Sequence, residues 1–172
     1  MKNWNEYIKP AVVLLAICIA VAGLLAGINA MTAEKIEANE EAARTASYYA
    51  ALPDADSFTE LPNDTEGVTA VLKADNGAGY VISAGGRGYG GTVTAVVAFS
   101  DDGTILNVVI DSSTETPGMG SKVSDDAFLS NFIGKGAEVM ELSDIDAVTG
   151  ATISSKAALK AVDLAIEAFH SI

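Results

Sequence analysis

The chain has 172 residues, a formal net charge of −13, and one cysteine and one histidine. The length supports one domain with a proper core, and the acid excess argues against a nucleic-acid-binding face, which has to be basic. The lone Cys18 excludes an intrachain disulfide or a cysteine-cluster metal site. The lone His170 lies near a fraying chain end, a poor place for the general base of a Ser-His-Asp triad.

Residues 1–10 are polar, with Lys2 and Lys9 flanking the amphipathic Trp4 and Tyr7. Residues 11–30 carry no charge, and about 20 apolar residues span a bilayer core as a helix. Trp4 and Tyr7 suit the headgroup layer. Lys2 and Lys9 before the run, against Glu34 and Glu37 after it, predict a cytoplasmic N-terminus and an extracytoplasmic remainder. A cleaved signal peptide is the competing reading, but its apolar region is usually about 7–15 residues and no Ala-x-Ala site follows this one. Ile17, where a small residue is expected, argues against a lipoprotein signal ending at Cys18. The run therefore reads as an uncleaved anchor in the lipid bilayer.

Thr32 is placed to cap a second, juxtamembrane helix within 31–52, with Glu34, Glu37, Glu40, Glu41 and Arg44 on a polar face. Tyr48 and Tyr49 are expected to pack on the domain, and Pro53 ends the helix. Residues 53–66, acidic and free of bases, read as an exposed loop. From residue 67 the apolar period becomes two. Strands are expected at 68–72, 79–84, 92–100 and 104–112, with hairpin turns at Asp75-Asn76-Gly77 and Asp101-Asp102-Gly103. This is an antiparallel meander rather than a βαβ pattern, so a dinucleotide-binding Rossmann fold is not expected. The glycine-rich 85–91 lacks the Gly-Lys-Ser/Thr of a P-loop and reads as a flexible loop.

Pro117-Gly118 marks a turn in 115–122, where Gly120 allows close backbone approach. A helix is expected over 127–133, with Phe128, Leu129 and Phe132 facing a core, and a short strand or extended segment over 139–142. The C-terminal helix follows a Thr149-Gly150-Ala151-Thr152 turn, capped by Ser154 or Ser155, with Val162, Ala165, Ile166 and Phe169 at helical spacing. Lys156 in its first turn has the wrong sign for a helix N-terminus unless an anion is held there. An ordinary capped Thr-Gly turn explains the same residues without a ligand.

The segment Asp146-Ala147-Val148-Thr149-Gly150-Ala151-Thr152 resembles the flavinylation motif of the FMN-binding domain family. In that family the last threonine carries FMN through a phosphoester. The resemblance implies one covalent FMN per chain on Thr152, beside Thr149, Gly150, Ala151 and Lys156. It also implies a flavin transferase that recognises the motif, Asp146 included. Glu115-Thr116-Pro117-Gly118-Met119-Gly120, followed by Ser121-Lys122, is similar to the family's Glu-Thr-Pro-Gly-Leu-Gly segment beside the flavin. Glu115, Thr116, Gly118, Met119, Gly120 and Lys122 are then flavin neighbours, Met119 replacing leucine at similar volume. A Gly-Tyr-x-Gly likeness at 88–91 implies that Tyr89, Gly90 and Gly91 shape the pocket wall; Arg87 is expected to be solvated.

The implied fold is α+β: an antiparallel meander with flanking helices over 67–172, preceded by one transmembrane helix. With its anchor, the chain is similar to the G-subunit family of the Rnf complexes, the ion-translocating ferredoxin:NAD oxidoreductases. That likeness implies an electron relay among other membrane subunits, one of them also flavin-bearing, rather than a self-contained enzyme. Competing readings are the C subunit of a sodium-pumping NADH:quinone oxidoreductase, an extracellular electron-transfer flavoprotein, and a cofactor-free assembly module. An anchored hydrolase using Asp101, Asp102, Asp111 and Glu115 is the weakest, since no carboxylate pairing is visible.

Overall fold

The computed structural model describes residues 8–172, so the expectations for Lys2, Trp4 and Tyr7 fall outside the described residues. The chain forms two compact units, Met1–Arg44 and Thr45–Ile172.

One unbroken helix, α1, runs from Lys9 to Ala51. It does not stop for the cap expected at Thr32. The Thr32 hydroxyl instead donates to the Ile28 carbonyl at 3.0 Å, one turn back in the same helix. Strong helix formers on either side (Ala30, Met31, Ala33, Glu34, Lys35) give the helix no reason to end. The uncharged run is exposed all round, with Leu14, Leu15, Leu24 and Leu25 each about 60% or more accessible. α1 is long and apolar enough to cross a membrane.

The second unit is built on a five-stranded sheet in the order β1 (Phe58–Glu60), β2 (Val68–Ala74), β3 (Tyr80–Arg87), β4 (Thr92–Phe99), β5 (Ile105–Asp111). Every neighbour pair is antiparallel, as expected of a meander. The two hairpin turns carry glycines in the left-handed region, Gly77 at φ +75° and Gly103 at φ +83°. β1 lies inside the segment read as an acidic loop. Its three residues are too few to show a period, and flanking charges hid it. The strand is held where Phe58 meets the rings of Tyr48 and Tyr49, with centroids 6.4 and 5.0 Å away. Asp75 adds bonds from the Ser57 and Thr59 hydroxyls at 2.5 and 2.6 Å.

Both faces of the sheet are covered. Val71, Ile82, Val97, Phe99 and Val108 face α3 (Thr152–Phe169), while Leu72, Val81, Val96 and Ala98 pack with Ala51, Leu52 and Ala55 at the end of α1. Tyr48 and Tyr49 therefore pack on the domain as expected. Asn107 ties the junction by donating to the Ala50 carbonyl at 3.2 Å. β4, an inner strand between β3 and β5, is buried from Ala95 to Phe99 because both of its faces are covered there.

α3 lies almost on the sheet backbone. Its inner face is rich in alanine (Ala157, Ala158, Ala161, Ala165), and a Cβ built on Gly86 would fall 1.9 Å from the Ala157 carbonyl oxygen. This contact corrects the flexible-loop reading of 85–91. β3 continues through Gly85, Gly86 and Arg87, which pair with Thr94, Val93 and Thr92. The glycines are there for helix–sheet approach, not for mobility.

Between β5 and α3 the chain is less regular than its sequence suggests. The helix expected to Ile133 is only one turn, α2 (Asp126–Leu129), although Phe128 and Phe132 are buried as expected. Asn131 ends it: its amide donates to the Phe128 carbonyl at 2.8 Å and accepts the Asp146 N–H at 2.8 Å, competing with helical bonding. Of the two forms expected at 139–142, no strand forms, and residues 139–141 are irregular chain. Met140 gives its N–H to the Asp163 carboxylate at 3.0 Å instead, and a 3-10 turn, Leu142–Asp144, follows.

Asp163 is buried on α3, and burial pushes its carboxyl above the usual range, opposed by the Met140 N–H and by Lys160. A pKa raised in the fold gives stability that is full at low pH and is lost as pH rises through the folded value. Asp163→Asn keeps an acceptor for Met140 and removes the charge. Chemical denaturation at about pH 4 and about pH 7 should show a smaller stability loss on raising the pH than in the parent chain.

Candidate functional site

Three segments distant in sequence meet in a cleft of about 440 Å³. They are the β3–β4 hairpin loop through Tyr89, the turn after β5 through Glu115, Thr116, Met119 and Gly120, and the start of α3 from Gly150 to Ser154. The volume lies in the range of small-molecule and cofactor pockets. The rim is apolar and unusually accessible, with Tyr89 74%, Met119 51% and Ile153 53% exposed. Three such side chains around a concave site suit a flat ring system better than a polar metabolite.

The α3 end of the cleft suits an anion. Thr152 is the first helical residue and is exposed, and the helix has no side-chain cap. The capping expected of Ser154 or Ser155 does not occur. Both are buried inside the first turn: Ser155 accepts the Val148 N–H at 3.1 Å, and Ser154 turns away to Glu115. The first N–H groups of α3 therefore have no partner within the helix, and they face outward with the positive end of its dipole.

Glu115 is the buried centre of the site, 4% exposed. One carboxylate oxygen accepts the Ser154 hydroxyl at 2.5 Å and the other the Gly90 N–H at 3.0 Å. One side chain thus joins all three walls. The hydroxyl of Ser154 above all, and the N–H groups of Gly90 and its neighbours, hold the Glu115 carboxyl below the usual range against the opposing effect of burial. Gly120 has no room for a side chain, since a Cβ there would lie 2.6 Å from Glu115 Oε2 and 2.7 Å from Ser154 Oγ.

A depressed carboxylate pKa contributes stability that is present above the ordinary carboxylate range and is lost as pH falls through the folded value. Glu115→Gln should accordingly flatten the acid side of the stability–pH curve. Denaturant midpoints measured from about pH 3 to about pH 6 read this directly.

Of the residues singled out from sequence, Tyr89, Glu115, Thr116, Met119, Gly120, Gly150, Ala151 and Thr152 line the cleft together. Gly90 stands behind the wall, bonded to Glu115. Gly118 shapes the turn at φ +74°, its N–H bonded to Ser121 Oγ at 2.9 Å. Thr149, Lys122 and Lys156 are exposed and outside the lining. Asp146 is exposed on the approach to α3, its backbone held by Asn131. Ile153 and Ser154 also line the cleft, outside the residues to which the sequence motifs point. Ser154 carried a signal: a polar residue two places after Thr152, on the turn that must pack inward.

Comparison with known proteins gives family matches over both parts of the chain. A family model described as the FMN-binding domain matches residues 88–167, and one described as the RnfG N-terminal region matches residues 1–50. The chain is 37% identical, over 121 residues, to the G-subunit of a proton-translocating ferredoxin:NAD(+) oxidoreductase complex from Clostridium ljungdahlii, a match covering 66% of this chain and 65% of that relative. Its likeness to the G-subunit of the Na(+)-translocating ferredoxin:NAD(+) oxidoreductase complex of Acetobacterium woodii is 29%, spanning 99% of this chain and 95% of the relative. The G-subunit of an ion-translocating oxidoreductase complex from Cereibacter sphaeroides is 30% identical over 83% of this chain and 71% of the relative.

Proposed function

The chain belongs to the G-subunit family of the ion-translocating oxidoreductase complexes, with an FMN-binding domain and an apolar N-terminal helix, and from that membership we propose that it is a membrane-anchored electron relay carrying one FMN covalently on Thr152. The observation that carries the attachment point is the place of Thr152: exposed, at the uncapped start of α3, in the wall of a cleft with an apolar rim. A phosphoester there puts phosphate at the free N–H groups of the helix and the ring in the cleft.

The flavin supplies the redox chemistry; the chain supplies position and electrostatics. The α3 terminus neutralises the phosphate, assisted by Lys156 from the exposed first turn. Tyr89, Met119 and Ile153 offer apolar surface to the ring, and Glu115 fixes the three walls relative to one another. The cleft is open, so the ring stays near the surface within reach of a neighbouring redox subunit. The covalent bond keeps the cofactor from being lost by dilution. Among the described residues no base is bonded to the Thr152 hydroxyl, and the Glu115 oxygens are taken by Ser154 and Gly90, so a separate flavin transferase makes the bond, reading Asp146 and the residues after it.

The anchor is α1, with its N-terminus in the cytoplasm and the FMN domain outside, and the partners are the other membrane subunits, a second flavin carrier among them. Intact mass of the full chain made together with a flavin transferase tests the attachment: one added FMN is expected, and a bare chain overturns the reading. For orientation, protease added outside sealed cells should remove the domain.

A further inference from the structure

We propose that Glu115 is a potential-setting positioning residue: its buried carboxylate is a fixed negative charge in the cleft wall that makes reduction of the bound flavin harder. The proposal rests on the FMN reading of the same cleft.

The geometry singles Glu115 out. It lines the cleft while only 4% of its surface is exposed. Both of its oxygens are held by donors, the Ser154 hydroxyl at 2.5 Å and the Gly90 N–H at 3.0 Å. Such an arrangement stabilises the ionised form and fixes its direction. Two glycines leave the carboxylate its space, since a Cβ on Gly120 would stand 2.6 Å from Oε2 and one on Gly88 would stand 2.2 Å from Oε1. The nearby lysines of both flavin motifs, Lys122 and Lys156, are exposed and lie outside the lining, where water and salt screen them. Among the described residues lining the cleft the one charge is therefore negative, and a ring bound over it would exclude the water that otherwise screens its field.

Flavin taking up two electrons and one proton gains one negative charge. A fixed carboxylate opposes that gain, whereas a neutral amide of the same shape does not. Mere bracing would predict something else: looser walls and poorer loading, with no systematic change in potential.

The test is a redox titration of the flavin absorbance in the full chain, loaded by the transferase and held in detergent. Parent and Glu115→Gln are compared. Glutamine can accept the Gly90 N–H and donate to Ser154, so the three walls stay joined. Loading is read separately by intact mass. The expected result is one FMN on both proteins and a reduction equilibrium at least tenfold more favourable in Glu115→Gln, a rise of about 30 mV for a two-electron couple. The parent potential is also expected to lie below that of free FMN in the same buffer. A loaded Glu115→Gln with an unchanged or lower potential overturns the proposal and leaves the attachment intact. If the variant does not load, a parent potential at or above that of free FMN overturns it equally. A parent chain that takes no FMN sinks this proposal together with the attachment reading, and the mass spectrum tells the two failures apart.

Discussion

Thr152→Ala is expected to fold, enter the membrane and carry no covalent FMN. The loss should be all or none: no flavin fluorescence in a denaturing gel and a mass lower by one FMN than that of the parent. The variant is a clean one. Thr152 is exposed at the first position of α3, and among the described residues none is bonded to its hydroxyl. Alanine is the best helix former, and surface changes of this kind alter stability by about 0.5 kcal/mol or less. Thr152→Ser keeps a hydroxyl at the same position and is expected to load. Covalent flavin retained in the alanine variant would place the bond elsewhere. The exposed Thr149, three residues earlier, would then be the next position to test.

Gly86→Ala is expected to be among the most damaging single-atom additions in the domain. The new Cβ would fall 1.9 Å from the Ala157 oxygen and 2.8 Å from its carbonyl carbon, both of them backbone atoms of α3. No rotamer relieves that clash, so the helix has to lift off β3. Overpacking of well-packed cores costs about 1–3 kcal/mol and sometimes more, and a backbone-on-backbone clash belongs at the upper end, ~3 kcal/mol. That corresponds to a melting temperature lower by roughly 10 °C. Gly136→Ala is the control. Nothing lies within 4 Å of a Cβ there, and the melting temperature should barely move. Because Thr152 begins the same helix, Gly86→Ala should also lower FMN loading, which Gly136→Ala should not. A stable, fully loaded Gly86→Ala chain would show that α3 does not need to sit so close.

Much of this was legible in order along the chain. Twenty uncharged residues define an anchor because the bilayer core sets the required length. Asn-Gly and Asp-Gly turns between alternating runs define the meander, since only a few residues reach positive φ cheaply. The threonine ending Thr-Gly-Ala-Thr, and the Glu-Thr-Pro-Gly-Met-Gly segment upstream, are local patterns with a chemical meaning, and the structure brings seven of their residues to one cleft, with Tyr89 from the glycine-rich stretch as an eighth.

Other features depend on contacts between distant residues, and no local pattern carries those. Thr32 has the chemistry of a cap but bonds back along its own helix, because nothing around it ends α1. Gly85 and Gly86 have the composition of a loop but lie in β3, because α3, far along the chain, needs bare backbone to pack on. Ser154 and Ser155 look like caps but are drawn inward by Glu115 and Val148. Asp163 looks like one acid among many until Met140 is laid against it.

The sequence alone determined where the membrane segment and the hairpins lie and which threonine is the attachment candidate, because chain length, backbone freedom and a short motif act within a few residues. Only the tertiary structure decided that Glu115 joins three walls from inside, that glycines in β3 serve helix packing, and that the start of α3 is left uncapped. Each of these depends on which groups meet across the fold and on how much water is excluded between them.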